Sequence, residues 1–308
     1  MKVLILTDGK AGHENQSKAF ARALGCDYDI VPVRFKSKIA KALSYLFDNL
    51  GFCTSALFDE CRPKIGDGAY RAVIGTGSGT FYAAKTYAKL LGIPCGVVLL
   101  PGGYNLKSFD CILAPEFDNP PSAPNIVKIP VNLVAADEAF YEAGVKAFSE
   151  KRGGIIPSGD AVAVIVGGPN KCSTMTPEWM RSQLEDVFAV HKAAGREIWV
   201  TTSRRTPPDV EAVVDSFPFD YKLLYSKDHF NPIPAFVSLA SHLYVTAEST
   251  GMLSEACSFG KAEVHVMDNL NPGPHKFRRF AENCAKLGSK KVNLSACFAA
   301  AKSLLELD

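Results

Sequence analysis

The sequence predicts an α/β protein of two doubly wound, Rossmann-like domains whose strand-end loops face one cleft. Three observations predict it. Short apolar runs alternate with stretches of helical spacing, joined by glycine or polar turns, as in parallel sheets covered by helices. The pattern pauses at Ser149–Asp160, whose glycines and proline give it linker composition, and restarts at Ala161. The chain has 308 residues, and at about 100–200 residues per domain that length suits two domains. The expected division is 1–155 and 156–308, with a final helical stretch at 293–307 that fits either domain.

In the first half, residues 2–7 read as a strand, and 14–24 has helical spacing through Gln16, Ala19, Phe20 and Leu24. Further strands are expected at Tyr28–Val33, Ala72–Ile74, Cys95–Leu99 and Cys111–Leu113, with a helix at 79–91. In the second half the strands are Ala161–Val166, Glu197–Thr201, Leu243–Thr246 and Glu263–Val266. Helices are expected near 177–194, 208–216 and 251–259.

Composition excludes several classes. Lys and Arg number 34 against 32 Asp and Glu, 47% of residues are hydrophobic and 21% charged. That balance excludes a disordered polymer, a collagen-like rod and a highly basic nucleic-acid binder. No apolar run approaches the roughly 20 residues that span a bilayer. Thr7-Asp8-Gly9-Lys10 cuts the first apolar run too early for a signal peptide. Nine cysteines without Cys-x-x-Cys, including Cys95, Cys111 and Cys257 in apolar stretches, read as free thiols of a reducing, cytoplasmic compartment.

In open α/β sheets ligands bind beyond the carboxyl ends of the strands, so the strand-end loops carry the functional reading. After the first strand comes Asp8-Gly9-Lys10-Ala11-Gly12-His13-Glu14-Asn15-Gln16. Gly9 and Gly12 permit tight turns, and His13 exchanges a proton near neutral pH. The spacing is neither Walker A nor G-x-G-x-x-G. The loop is either a functional one, as the length of its polar run suggests, or a plain βα turn capped by His13. Gly75, Gly77 and Gly79 alternate after the third strand, either to admit a ligand to a helix N-terminus or to pack a turn.

In the second half, Gly168 and Asn170 follow a strand and border the expected cleft. Ser203, Arg204 and Arg205 follow the next, where guanidinium groups suit anionic oxygens or form a solvated pair beside a helix. Ser249, Thr250 and Gly251 end a strand and open a helix, a place for a diphosphate. Ser254 and Glu255 lie one turn further on. Glu255 either accepts the hydroxyls of a ribose or is first-turn charge favoured by the helix dipole.

At these residues the chain resembles a known family. Thr7–Gln16, Thr201–Pro207 and Thr246–Ala256 together resemble the mitochondrial-fission elongated-mitochondria-factor family, whose bacterial members are described as nucleotide-sugar-dependent glycosyltransferases or epimerase-like proteins. More distantly the layout resembles GT-B glycosyltransferases such as the peptidoglycan N-acetylglucosaminyltransferase. Gly12 and His13 match a Gly-His in the first loop, Gly77 and Gly79 fall in a second glycine loop, and Ser254-Glu255 match the donor-binding pair. Glu248-Ser249 stands where the fission family carries Asp beside Ser. The resemblance implies a ribose on Glu255, a diphosphate on Ser249–Gly251 and an acceptor on the N-terminal domain.

The expected reaction is transfer of a sugar from a nucleotide-sugar to an unidentified acceptor, with His13 as base and Arg204 or Arg205 adding positive charge. No cofactor or metal is expected, since there is no Asp-x-Asp and no His/Cys cluster with metal-ligand spacing. Two alternatives stand beside it. An epimerase would use the same donor pocket with carboxylates such as Glu14, Glu116 or Asp118. A non-catalytic adaptor would rest on the segment 34–52, where basic residues precede Ile39, Leu43, Leu46, Phe47 and Leu50 on one helical face. That face is either core or a peripheral contact with an anionic membrane.

Overall fold

The computed structural model describes residues 1–59, 69–134, 137–155 and 160–307. The chain forms two compact units, Met1–Ala135 with Asn293–Asp308, and Ala136–Val292.

The first unit contains β1 (Lys2–Thr7), α1 (Ala11–Ala23), β2 (Asp27–Pro32), α2 (Lys38–Asn49), β3 (Val73–Thr76), α3 (Phe81–Leu91), β4 (Cys95–Val98), β5 (Cys111–Pro115) and β6 (Ile126–Ile129). Its strands form one parallel sheet in the order β2-β1-β3-β4-β5-β6. Strands covered on both faces read as continuous apolar runs, and alternate residues point to opposite sides. Leu4, Leu6 and Val73 accordingly enter a core with Tyr82, Ala83 and Ala84 of α3. Val3, Ile5 and Ile74 enter a second core with Phe20 and Leu24 of the α1 segment.

The second unit contains α4 (Glu138–Lys151), β7 (Ala161–Ile165), α5 (Pro177–Ala193), β8 (Ile198–Thr201), α6 (Pro208–Ser216), β9 (Tyr221–Leu223), α7 (Ile233–Leu239), β10 (Ala240–Thr246), α8 (Thr250–Ser258), β11 (Glu263–Met267) and α9 (Lys276–Leu287). The sheet order is β11-β10-β7-β8-β9, again parallel.

The division differs from the expected 1–155 and 156–308 at both ends. α4 belongs to the second unit because Phe148 is buried against Trp199 and Phe236, with ring centroids 5.4 and 5.6 Å away. The linker-like composition begins only after that helix, and residues 156–159 of the expected linker lie outside the described residues. The last helix, α10 (Ser295–Leu304), returns to the first unit, where Ala301 and Leu305 fill the core beside Phe20.

Each order has one point where successive strands leave in opposite directions. In the first unit it lies between β1 and β3, and in the second between β7 and β10. Such switch points open a crevice at the strands' carboxyl ends. Among the described residues no helix is long and apolar enough to cross a membrane.

Candidate functional site

The first switch point holds a His–Asp pair. His13 opens α1, and its Nδ1 lies 3.1 and 3.0 Å from the two Asp8 carboxylate oxygens. An ionised carboxylate only accepts, so Nδ1 carries a proton, and in the neutral ring the lone pair is left on Nε2. Burial works against ionising Asp8, but the His13 imidazole and Lys10 outweigh it and hold the carboxyl below its usual range. The β3–α3 loop seats the pair. A Cβ on Gly77 would lie 2.3 Å from the His13 ring, and one on Gly79 would lie 2.7 Å from Asp8. Gly77 also has φ +82°, a backbone region open to glycine.

The neighbouring residues play different parts. Ser17 hydrogen-bonds Thr76 at 2.7 Å and fixes α1 to the end of β3. Gln16 keeps its buried Oε1 without a partner. Gly9 makes the expected turn with φ +78°, whereas Gly12 is helical and open on its Cβ side, so it makes none. Asn15 is exposed on α1, and Gly75 lets Thr80 and Ala84 of the α3 segment approach β3. Glu14 is held by Lys18 at 2.7 Å and by the Thr7 hydroxyl at 3.2 Å.

The second switch point gathers the ends of β7, β8, β10 and β11. Thr246 Oγ1 accepts from Gly167 N at 2.9 Å and donates to Glu248 Oε1 at 3.0 Å. Glu248 and Asn269 are 3% and 5% exposed. Glu248 Oε2 and both Asn269 amide atoms nonetheless make no hydrogen bond of good geometry, although the Asn269 amide lies close enough to Glu248 to favour its charged form. Buried polar atoms without a well-formed hydrogen bond are uncommon, and here three occur together. Burial raises the Glu248 carboxyl above its usual range, with its hydrogen bonds only partly opposing that.

Ser203 and Arg205 lie in a turn latched to this point. Thr206 Oγ1 donates to Gly167 O at 2.6 Å and accepts from Ser203 N at 2.8 Å. A Cβ on Gly168 would lie 2.2 Å from the Arg205 carbonyl oxygen. The side chains of Arg204 and Arg205 are exposed. Asn170 Oδ1 accepts from Cys172 N at 2.7 Å within its own loop. Ser249 is buried just before α8, and Thr250 and Gly251 open that helix. Ser254, fully buried, donates to Thr250 O at 2.6 Å, so its hydroxyl serves its own helix. Glu255 Oε1 accepts from Tyr141 of α4 at 3.1 Å, and burial raises its carboxyl above the usual range.

The sequence profile of the family described as mitochondrial fission ELM1 matches residues 11–292. The chain belongs to that family. No curated protein matches it in sequence. Solved structures match along nearly its whole length. A Neisseria meningitidis UDP-GlcNAc 2-epimerase bound to UDP-GlcNAc is 14% identical over 99% of each chain, with a TM-score of 0.52. The Methanocaldococcus jannaschii UDP-GlcNAc 2-epimerase is 14% identical over 100% of this chain and 93% of that one, at 0.53. A Listeria monocytogenes protein ascribed the same activity is 11% identical over 100% and 97%, at 0.57. The shared feature is the GT-B fold of two Rossmann-like domains.

Within this ELM1-family chain, sequence reading missed Asp8 as the partner of His13, Thr206 as the latch, and the buried group of Thr246, Glu248 and Asn269. One signal was present: Asp8 directly follows a strand and stands five residues before His13. Asn269 carried none, because only the sheet order brings the end of β11 beside β10.

Proposed function

We propose that the chain is a GT-B glycosyltransferase that moves a sugar from a nucleotide-sugar to an acceptor hydroxyl, with His13 as general base. The observation that carries this reading is the Asp8–His13 pair at the first switch point. Its geometry leaves Nε2 basic, and Asp8 stabilises the imidazolium once His13 has taken the acceptor proton. Attack by the acceptor oxygen on the anomeric carbon breaks its bond to the nucleoside diphosphate.

The donor belongs to the second unit. The α8 N-terminus and the exposed Arg204 and Arg205 supply positive charge for the departing diphosphate, so the transfer itself requires no metal. A carboxylate beside a phosphate would repel it, but burial favours the neutral Glu248 acid, whose Oε2–H then donates to an anionic oxygen. Asn269 offers one donor and one acceptor beside it. Glu255 receives the ribose. UDP-GlcNAc in the Neisseria structure supports a nucleotide-sugar as ligand class.

The acceptor is proposed to be lipid-linked, at the inner face of a membrane. α2 buries Ala40, Ser44 and Asp48, with Ser44 bonded to Tyr104 at 2.9 Å and Asp48 paired with Lys85. Its other face leaves Ile39, Leu46, Leu50 and, just beyond, Phe52 between 53% and 72% exposed. Exposed Lys36 precedes the helix and exposed Lys38 opens it, while Arg34 before them is paired with Asp59 at 2.8 Å. Basic residues beside an apolar face suit anionic lipid.

A second reading, a 2-epimerase, is favoured by the activity of the matching solved structures. Against it, Glu14 is occupied by Lys18 and Thr7, and Glu116 and Asp118 follow β5, which two strands separate from β1.

The test is a thermal-shift titration with UDP, GDP, CMP and ADP on wild type and Glu255→Gln, a change that preserves an acceptor for Tyr141. A ligand of the native state at 100 times its Kd stabilises by about 2.7 kcal/mol. One nucleotide is expected to raise Tm in wild type and less in the variant. Flat curves at millimolar nucleotide would overturn donor binding. With the base identified, incubating the nucleotide-sugar alone distinguishes the reactions: an epimerised sugar nucleotide would reject the transferase.

A further inference from the structure

Away from both switch points, the opening residues of β10 and β11 bring three metal-ligating side chains together. His242 is paired in register with Glu263, and His265 stands two residues on, so all three project from one face of the sheet. His242 Nδ1 lies 3.0 Å from His265 Nε2, and Glu263 Oε2 lies 3.7 Å from the first and 4.0 Å from the second. A triangle with those sides has its equidistant point about 2.1 Å from every corner, within the ~2.0–2.2 Å of zinc–imidazole and zinc–carboxylate bonds.

The surroundings prepare the imidazoles for a cation. Arg196 lies 3.1 Å from His191 Nδ1, and a guanidinium only donates, so His191 is the neutral Nε2–H tautomer donating to the Tyr244 hydroxyl at 2.9 Å. The Tyr244 ring then stacks on His265 at 4.4 Å and 14°, fixing its plane. A hydrogen bond between the two histidines would account for the 3.0 Å separation, but it would leave Glu263 Oε2 beyond hydrogen-bond distance of both nitrogens.

We infer that His242, Glu263 and His265 bind one divalent transition-metal cation of zinc type, clamping the edge strand β11 to β10. Two imidazoles and one carboxylate favour zinc, cobalt or nickel over calcium or magnesium. Glu263 is half exposed, so the remaining coordination position opens to water. The linear sequence hides this set, because the ligands come from two strands and only sheet register unites them.

The test is calorimetric titration of the chelator-stripped full chain with zinc chloride, with visible absorption of bound Co2+ as a second measurement. Wild type should bind one equivalent and gain Tm. His242→Ala, His265→Ala and Glu263→Gln should each lower affinity at least tenfold and remove the cobalt band, whereas His229→Ala should change neither. Glu263→Gln alters a half-exposed side chain and supplies a folded variant if a histidine variant melts early. Absence of a one-equivalent site in wild type, or zinc binding unchanged in Glu263→Gln and in the double histidine variant, would overturn the inference.

Discussion

His13 is a base in only one of its two neutral tautomers, and Asp8 selects that one. Asp8→Asn changes little volume but presents an amide, whose N–H would draw a lone pair to Nδ1 and leave the proton on Nε2. With general base catalysis contributing about 10²–10⁴-fold, His13→Ala should lower kcat by that order. Asp8→Asn should lower it at least tenfold, with the nucleotide Kd unchanged in both. Equal losses in Kd would show that the pair serves binding instead. Glu248 makes a second residue-scale case. Its carboxyl holds a proton more tightly folded than unfolded, so its favourable contribution is complete below the unfolded value and lost as pH rises through the folded one. Glu248→Gln cannot ionise, and should melt above wild type at neutral pH by about 1 kcal/mol, the difference fading in acid. Thermal melts of both proteins from acid to neutral pH check the sign. His13 and Glu248 also mark what sequence makes legible. A polar loop after a strand announces His13, whereas the burial of Glu248 beside Thr246 and Asn269 depends on β7 and β11, which no local pattern places.

At the scale of elements, glycines without side chains set the positions of catalytic and binding groups. Gly77→Ala meets both a φ of +82° and the His13 ring. The backbone penalty alone is about 1–2 kcal/mol. The expected result is a lower Tm and a loss of turnover like that of His13→Ala, with nucleotide binding in the second unit intact. Gly168→Ala should do the converse: its Cβ displaces the Arg205 backbone, loosens the Ser203–Thr206 turn and raises the nucleotide Kd several-fold. Parallel kinetics and thermal-shift titrations on the two variants separate these effects. Most strands were legible for one reason, that burial on both faces demands apolar runs such as Val3–Leu6 and Ala161–Ile165. The exceptions were short edge strands. β6 and β9 are only four and three residues long and carry exposed Lys128 and Lys222 inside them, so their sequences resemble loops. The domain boundary was missed for a related reason: glycine-rich composition after Lys151 is visible, but Phe148 docking on Trp199 is not.

For the whole molecule, the instructive element is α2, which turns Ser44 and Asp48 inward along with Ala40, Tyr45 and Phe47. It leaves Ile39, Leu43, Leu46 and Leu50 outside, so Phe47 does not share the exposed face expected for it. Sequence periodicity shows an amphipathic helix but not which side is buried, because an apolar stripe normally faces the core. Here the inward contacts of Ser44 with Tyr104 and Asp48 with Lys85 fix the helix the other way round. Four large apolar side chains are thereby left in water, which a membrane surface would relieve. Each charge near an anionic bilayer adds about 1 kcal/mol, and each fully buried Leu about 1.5–3 kcal/mol. Sedimentation with anionic vesicles should carry wild type down, with neutral vesicles carrying much less. Leu46→Asp with Leu50→Asp should reduce binding more than tenfold, because it removes apolar area and adds repulsion. Lys36→Ala with Lys38→Ala should reduce it less and mainly at low salt, since screening weakens the charge contribution and leaves the apolar one. Nucleotide thermal shifts should be the same in all of these proteins. Vesicle binding unaffected by the paired Leu changes would remove the membrane from the proposed reaction and leave α2 to some other partner, while the Asp8–His13 chemistry would stand on its own kinetics.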